Sequence, residues 1–136
     1  MKPILLSFII LILTLPLFSI SCKKEPFYPN FKHAGGYIIG KEICNLNPDD
    51  DYWLIDLSSV DNPLTFIYGD SITINGILYK HMVKTKQLVF DFRIIGKKVS
   101  FDFHLSNNKL ISTGCAVLNP ITFNLKEMYV LASFNN

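Results

Sequence analysis

"KKVSFDFHLS", residues 97–106, is the stretch that decides the fold class. Val99, Phe101, Phe103 and Leu105 are apolar, and the residues between them are polar. Successive side chains of a β-strand point to opposite faces, so this alternation places all four apolar residues on one face. The pattern is typical of a strand with one face in a core and the other in water.

The same period of two recurs on both sides of this stretch. Asn75-Gly76 suits a type I′ turn, because both positions of that turn need positive φ. Two further segments, rich in Asn, Asp or Pro, predict turns: residues 45–51 and Asn107-Asn108. Residues 86–96 fit either a strand or a short helix. Strands are predicted at residues 36–44, 52–58, 71–80 (as a hairpin) and 121–134.

Short strands separated by turn signals predict an all-β domain. We expect a small five- to six-stranded barrel of the OB type over residues 35–136, with a small β-sandwich as the alternative. Gly40 lies inside the first strand, where a glycine indicates a bulge or sharp bend. Such a bend suits the long first strand of an OB-like barrel.

The N-terminal residues predict a targeting segment. Lys2 precedes a long apolar run that ends in small residues at "SIS", residues 19–21. This is the layout of a secretory signal peptide. Cys22 then makes "SISC" resemble the acylation site of bacterial lipoproteins, although Ser19 stands where the usual signal has leucine. The alternative is a signal peptide without lipidation and an incidental Cys22.

Lipidation at Cys22 would attach the protein to a membrane. Each buried methylene contributes about 0.8 kcal/mol, so two or three acyl chains on one residue form a stable anchor. We therefore expect residues 1–21 to be removed as a lipoprotein signal peptide. Residues 22–34, which include several charges and prolines, then form the acylated cysteine and a tether.

The charge of the mature chain argues against nucleic-acid binding. Without Lys2, the 13 basic residues become 12, against 11 acidic residues. Nucleic-acid binding depends on clustered Lys and Arg. The nearest basic cluster, "YKHMVKTK" at residues 79–86, fits one solvated strand face.

Once Cys22 carries lipid, Cys44 and Cys115 remain as a pair. An oxidising compartment favours a disulfide between them. Two free thiols or a metal pair are the alternatives, and no second cysteine lies two to four residues from either one, as zinc sites usually require. A disulfide between them would close a loop of about 71 residues, for which the chain-entropy estimate of stabilisation is roughly 4 kcal/mol.

No complete catalytic or metal-binding motif is present. The acidic turn at residues 47–51 lacks the glycine and glutamate of a calcium loop, and His33, His81 and His104 form no paired motif. Ser112 has no base signalled near it. We therefore expect no cofactor and no metal.

Two further groups of side chains have both a functional and a structural interpretation. Tyr52 and Trp53 are a possible binding face, but "YWLIDL" is apolar on both faces, so partial burial in the core is favoured. A hydrolase would need Asp102 or another carboxylate beside a histidine in a cleft.

The order of these motifs, from "GYIIGKE-x-C" through "DYWLIDL", "YGD-x-I-x-I-NG" and "GKKV-x-F-x-F" to "KEMYVL", resembles small Bacteroidota lipoproteins of unknown function. The resemblance implies a membrane-anchored lipoprotein of the cell envelope, at the outer membrane, on its periplasmic or its surface face. It brings no catalytic residues. We expect a non-catalytic binding or scaffolding module whose partner is an envelope protein. The alternative is an inhibitor or a lipoprotein that sequesters a small ligand. A hydrolase is the third and least favoured hypothesis.

Overall fold

The computed structural model describes residues 29–58 and 68–135. It contains six strands and two single-turn 3-10 helices, the latter at Pro48–Asp50 and Phe90–Phe92. Within these residues, no helix is long and apolar enough to cross a membrane. The strands are β1 (Phe31–Lys41), β2 (Trp53–Asp56), β3 (Asp70–Ile74), β4 (Ile77–Thr85), β5 (Lys98–Leu110) and β6 (Leu125–Asn135).

Five of the strands pair in a closed ring. β1 pairs antiparallel with β2 and β5, β2 pairs antiparallel with β4, and β5 pairs antiparallel with β6. A parallel bridge between β4 and β6 closes the ring, and β3 pairs with β4 outside it. The all-β prediction is confirmed. A single sheet that closes on itself has the ring of a small barrel, and the pairing order is OB-like.

The interior of the ring is filled with side chains. Val99, Phe101 and Phe103 are completely buried and Leu105 nearly so, as the alternation in β5 predicts. The other ring strands meet them with apolar residues of their own. The completely buried members from those strands are Ala34, Ile38, Ile55, Val83 and Met128.

The barrel begins earlier than the sequence indicates. β1 starts at Phe31, so residues 31–34 belong to the sheet rather than to a tether. The Phe31 ring stacks on Phe103 at 4.8 Å between centroids and meets Tyr68 edge-on at 4.6 Å. These contacts, together with the pairing of β1 with β5, hold the residues that were predicted to connect the domain to its anchor.

Glycine and asparagine have the predicted roles in two turns and bends. The register between β1 and β2 shifts between Ile38 and Gly40, which confirms the irregularity expected there. Asn75 and Gly76 have φ of 51° and 80°, as the type I′ hairpin requires.

One local prediction is corrected. Asn107 and Asn108 do not end a strand: β5 continues to Leu110, and its register with β6 shifts between Leu105 and Lys109. The pairing with β6 on both sides outweighs the turn preference of two asparagines.

Residues 86–96 contain no strand. Of the two predicted alternatives, the short helix is the one present, as a single 3-10 turn at Phe90–Phe92 within a loop.

Candidate functional site

An apolar groove lies on the outer face of the sheet, with a volume of about 440 Å³. Five separate parts of the chain form it: β1 with the residues after it, β2, the tip of the β3–β4 hairpin, the loop before β5 and the loop before β6. Of the described residues, the one ionisable side chain in its lining is Lys41. The apolar lining residues are Ile39, Ile43, Leu54, Ile74, Ile95, Ile121 and Phe123.

The groove exists because β2 is apolar on both faces. Trp53 and Ile55 face the filled interior, whereas Leu54 belongs to a second buried cluster with Met82 and Leu125. The hairpin and the residues before β6 pack on this buried cluster with apolar residues that are themselves only partly buried. Three isoleucines at the groove remain well exposed: Ile43 at 44%, Ile121 at 49% and Ile95 at 67%.

The two loops that border the groove are joined by covalent and backbone bonds. Cys44 and Cys115 form the predicted disulfide, with an S–S length of 2.09 Å. The backbone N–H groups of Ile43 and Ile121 each donate to the other's carbonyl at 2.9 Å. Ala116 N–H also donates to the Cys44 carbonyl at 2.8 Å. The β1–β2 and β5–β6 loops are therefore held together as one wall of the groove.

Behind this wall lies a buried ion pair. Lys84 Nζ and Glu42 Oε1 are 2.8 Å apart, and both side chains are inaccessible to solvent. Lys84 also donates to the Phe123 carbonyl at 2.9 Å and to Ser112 Oγ at 3.4 Å. Glu42 accepts from Phe123 N–H at 2.9 Å, and the Ser112 hydroxyl donates to its other oxygen. All three donors of the ammonium are used, so the pair anchors the β5–β6 loop.

The ion pair corrects the sequence interpretation of residues 79–86. They were predicted to be a solvated strand face, yet Met82–Thr85 are all buried.

The same ion pair surrounds Ser112, the serine considered as a nucleophile. The two groups beside it are a lysine held by a carboxylate and a carboxylate held by that lysine and a backbone N–H. Neither is accessible, so this arrangement is structural.

Tyr52 lies over the same network. Its ring lies 4.6 Å from Lys84 Nζ and 4.8 Å from Lys86 Nζ, and its hydroxyl donates to Glu127 at 3.2 Å. Burial, and next the Glu127 carboxylate, raise the pKa of Tyr52 to about 12. A hydrogen bond to Glu127 also raises the pKa of Tyr129.

The proposed aromatic binding face is buried. Tyr52 is 9% exposed and Trp53 is 8% exposed, and Trp53 lies in the interior cluster. Lys41 Nζ lies 5.8 Å from the centre of the Trp53 ring. The burial that the sequence favoured for this pair is what the structure shows. Exposed large apolar residues lie at the groove and also elsewhere on the surface, where Phe90 is 75% exposed and Leu46 79% exposed.

The Asp102 carboxylate lies beside His33. It accepts from the His33 backbone N–H at 2.7 Å and lies 3.4 Å from its Nδ1. The His33 side chain is 69% exposed, so the pair is on the open surface. Asp51 accepts from the backbone of Cys44 and Asn45 and thereby organises its turn.

Within residues 29–58 and 68–135, no three His, Cys, Asp or Glu side chains are grouped to hold a metal ion. Cys22 and the predicted signal peptide lie outside the described residues.

Comparison with known proteins finds no matching family model, no similar curated protein and no similar solved structure.

Proposed function

We propose that this chain is a non-catalytic binding module of the cell envelope, attached to the outer membrane through lipid on Cys22, and that it holds an envelope protein at the apolar groove. The observation that carries the proposal is the exposure of isoleucines in a concave site with a rigid wall. Lone exposed apolar residues are ordinary, whereas a contiguous concave patch is typical of binding sites.

The position of the groove supports this role. OB-type barrels bind their ligands on the outer face of the second and third ring strands, between the first and last loops of the ring. In this chain the β1–β2 loop contributes Ile43 and the β5–β6 loop contributes Ile121 and Phe123. The groove therefore occupies the place where an OB-like barrel has room for a ligand.

The rigidity of the wall also favours binding. A site that is already ordered loses less conformational entropy when its partner arrives. The Cys44–Cys115 disulfide, the Ile43–Ile121 bridge and the Lys84–Glu42 pair all fix the β5–β6 loop before any partner is present.

A small apolar ligand is the second candidate. Its support is the groove volume of about 440 Å³, which lies within the usual range of about 300–1,000 Å³ for ligand pockets. The filled barrel interior offers no comparable space among the described residues. A ligand-sequestering role would therefore also use the outer groove.

Photocrosslinking in envelope membranes tests the binding role. A photoreactive residue at Ile121 is compared with one at Leu118, which is 98% exposed on the same loop but outside the groove. We expect a discrete protein adduct from position 121 only, and we expect Ile95→Glu to abolish it. Equal labelling from both positions, or turnover of an envelope substrate by the purified protein, would contradict the proposal.

The anchor is tested separately. Labelled palmitate should enter the wild-type protein, and Cys22→Ser should remove both the label and the tight association with membranes. A Cys22→Ser protein that still fractionates with membranes would show that lipid on this residue is not the attachment.

A further inference from the structure

The edge of β3 is the open edge of the described sheet. Each of the five ring strands pairs with two ring neighbours, and β4 pairs with β3 as well, whereas β3 pairs only with β4 among the described strands. An edge strand presents unpaired N–H and C=O groups that another chain can use. Such edges are normally protected by charged side chains, especially lysine, or by proline. The one charged residue of β3, Asp70, is buried and paired with Lys109 at 2.8 Å, and the remaining residues 71–74, "SITI", contain neither charge nor proline.

This open edge lies at the apolar groove. Thr73, Ile74 and Asn75, at the end of β3 and in the turn that follows, are part of the groove lining. Thr73 is exposed and Ile74 is half-buried. A strand added along β3 would therefore have backbone groups to pair with and an apolar surface for alternate side chains.

The positive charge of Lys41 favours one kind of binding partner for the groove. Among the described residues, Lys41 is the one ionisable residue of its lining, and no described carboxylate lines it. Two copies of this chain meeting through their grooves would bring lysine towards lysine. A segment that is apolar and carries a carboxylate next to its apolar residues is complementary instead.

The tether of the same chain is a poor occupant. It enters the sheet at Phe31, whereas the groove lies around Ile39 and Lys41 at the other end of β1. Ile39 lies eight positions after Phe31, which is about 26 Å of strand. Residues 22–30, fully extended, reach at most about 32 Å. Most of that reach would be used in returning along β1, so too little would remain to add a strand.

We propose that the groove takes an extended segment of another envelope protein, which adds as a strand to the edge of β3. The segment places alternate apolar side chains in the groove and a carboxylate near Lys41. This inference rests on the proposed binding function and specifies its partner: a β-strand donor rather than a helix, a lipid or a second copy.

A displayed library of random decapeptides, selected against the full-length lipidated protein, tests the inference. The Ile121→Glu variant serves for counter-selection. We expect enriched peptides with apolar residues at alternate positions and an acidic residue beside them. Enrichment of basic or helical sequences, or no enrichment over the Ile121→Glu variant, would overturn the inference.

The best peptide is then resynthesised in two altered forms. N-methylation at alternate backbone nitrogens, on the edge that pairs, should weaken binding by about tenfold or more, because it removes the pairing N–H groups. Replacing the acidic residue by lysine should also weaken it, while Leu118→Glu in the protein should leave it unchanged. Equal affinity of the N-methylated peptide for the groove would refute strand addition.

The two proposals fail in different ways. If Ile121 crosslinks to an envelope protein but N-methylation has no effect, the groove binds a partner and strand addition is wrong. If position 121 yields no adduct and no peptide binds, both the binding function and the strand addition are wrong.

Discussion

Lys84 shows how far a residue can depart from its local pattern. Lysine is almost never fully buried unless it is paired. The alternation in β4 correctly separates Lys84 and Met82 from Val83, but it says nothing about what covers each face. That cover comes from Glu42 and the residues around Phe123, which are remote in the sequence. Burial of this lysine was therefore beyond prediction from local periodicity.

Removing Lys84 alone should be costly. Lys84→Met leaves the Glu42 carboxylate buried without its counter-charge, which typically costs about 3–5 kcal/mol. The double variant Glu42→Leu/Lys84→Met should lose less than the sum of the two single variants, as measured by urea unfolding. Asp49→Asn is the control, because it breaks an ion pair between Arg93 and an Asp49 side chain that is 65% exposed. This substitution should cost no more than about 1 kcal/mol. Additive losses at positions 42 and 84 would contradict the coupling.

Tyr52 should ionise late. Its folded pKa of about 12 lies above the ordinary value of 10, so the folded state favours the neutral phenol. The resulting stabilisation is complete below pH 10 and is lost as the pH rises from 10 through about 12. Ultraviolet titration of phenolate absorbance measures this ionisation. The titration curve of the Tyr52→Phe variant should lack a component with this late midpoint that is present in the wild type. A lost component that titrates near 10 would show that burial does not act as described.

At the scale of the elements, the β3–β4 hairpin and the β5–β6 pair give opposite outcomes for similar signals. Asn75-Gly76 forms the predicted turn, because both residues adopt positive φ and the strands on either side of them pair with each other. Asn107-Asn108 remains in β5, because β6 offers pairing partners on both sides of it. A turn signal is therefore reliable only when no distant strand competes for the same residues.

Gly69 precedes the hairpin and should tolerate no side chain. Its φ is +100°, and a Cβ there would lie 2.5 Å from the carbonyl carbon of His81. Gly69→Ala should therefore destabilise the protein by about 2 kcal/mol or more. Gly40→Ala is the matched control, because a Cβ there meets nothing within 4 Å, and its effect should stay within about 1 kcal/mol. Thermal unfolding of both variants measures the difference, and equal midpoints would count against a backbone clash.

At the scale of the whole molecule, the sequence predicted the fold class and the disulfide but not the groove. The alternation of "VSFDFHL" and the turn signals between strands are local, and they were sufficient for an all-β barrel. The groove combines Ile39, Ile74, Ile95 and Ile121, which come from four distant segments. No local pattern marks these isoleucines as neighbours, so the site had to be found in the folded chain.

The disulfide should account for a large part of the stability of the domain. It joins residues that are 71 positions apart, and the chain-entropy estimate for such a loop is about 4 kcal/mol. The double variant Cys44→Ala/Cys115→Ala should unfold at correspondingly lower urea concentration. A reducing agent should lower the midpoint of the wild type and leave the variant unchanged. Identical midpoints for the oxidised wild type and the variant would show that the bond contributes nothing.

The entry of β1 directly from the predicted tether has a mechanical consequence. The residues before Phe31 are followed at once by a strand paired with β5 on one side and, further along, with β2 on the other. A pull on the N-terminal side acts along the axis of β1, across hydrogen bonds that run perpendicular to it. These bonds would carry the load together, in shear, instead of opening one after another, so the barrel should resist tension directed along its tether.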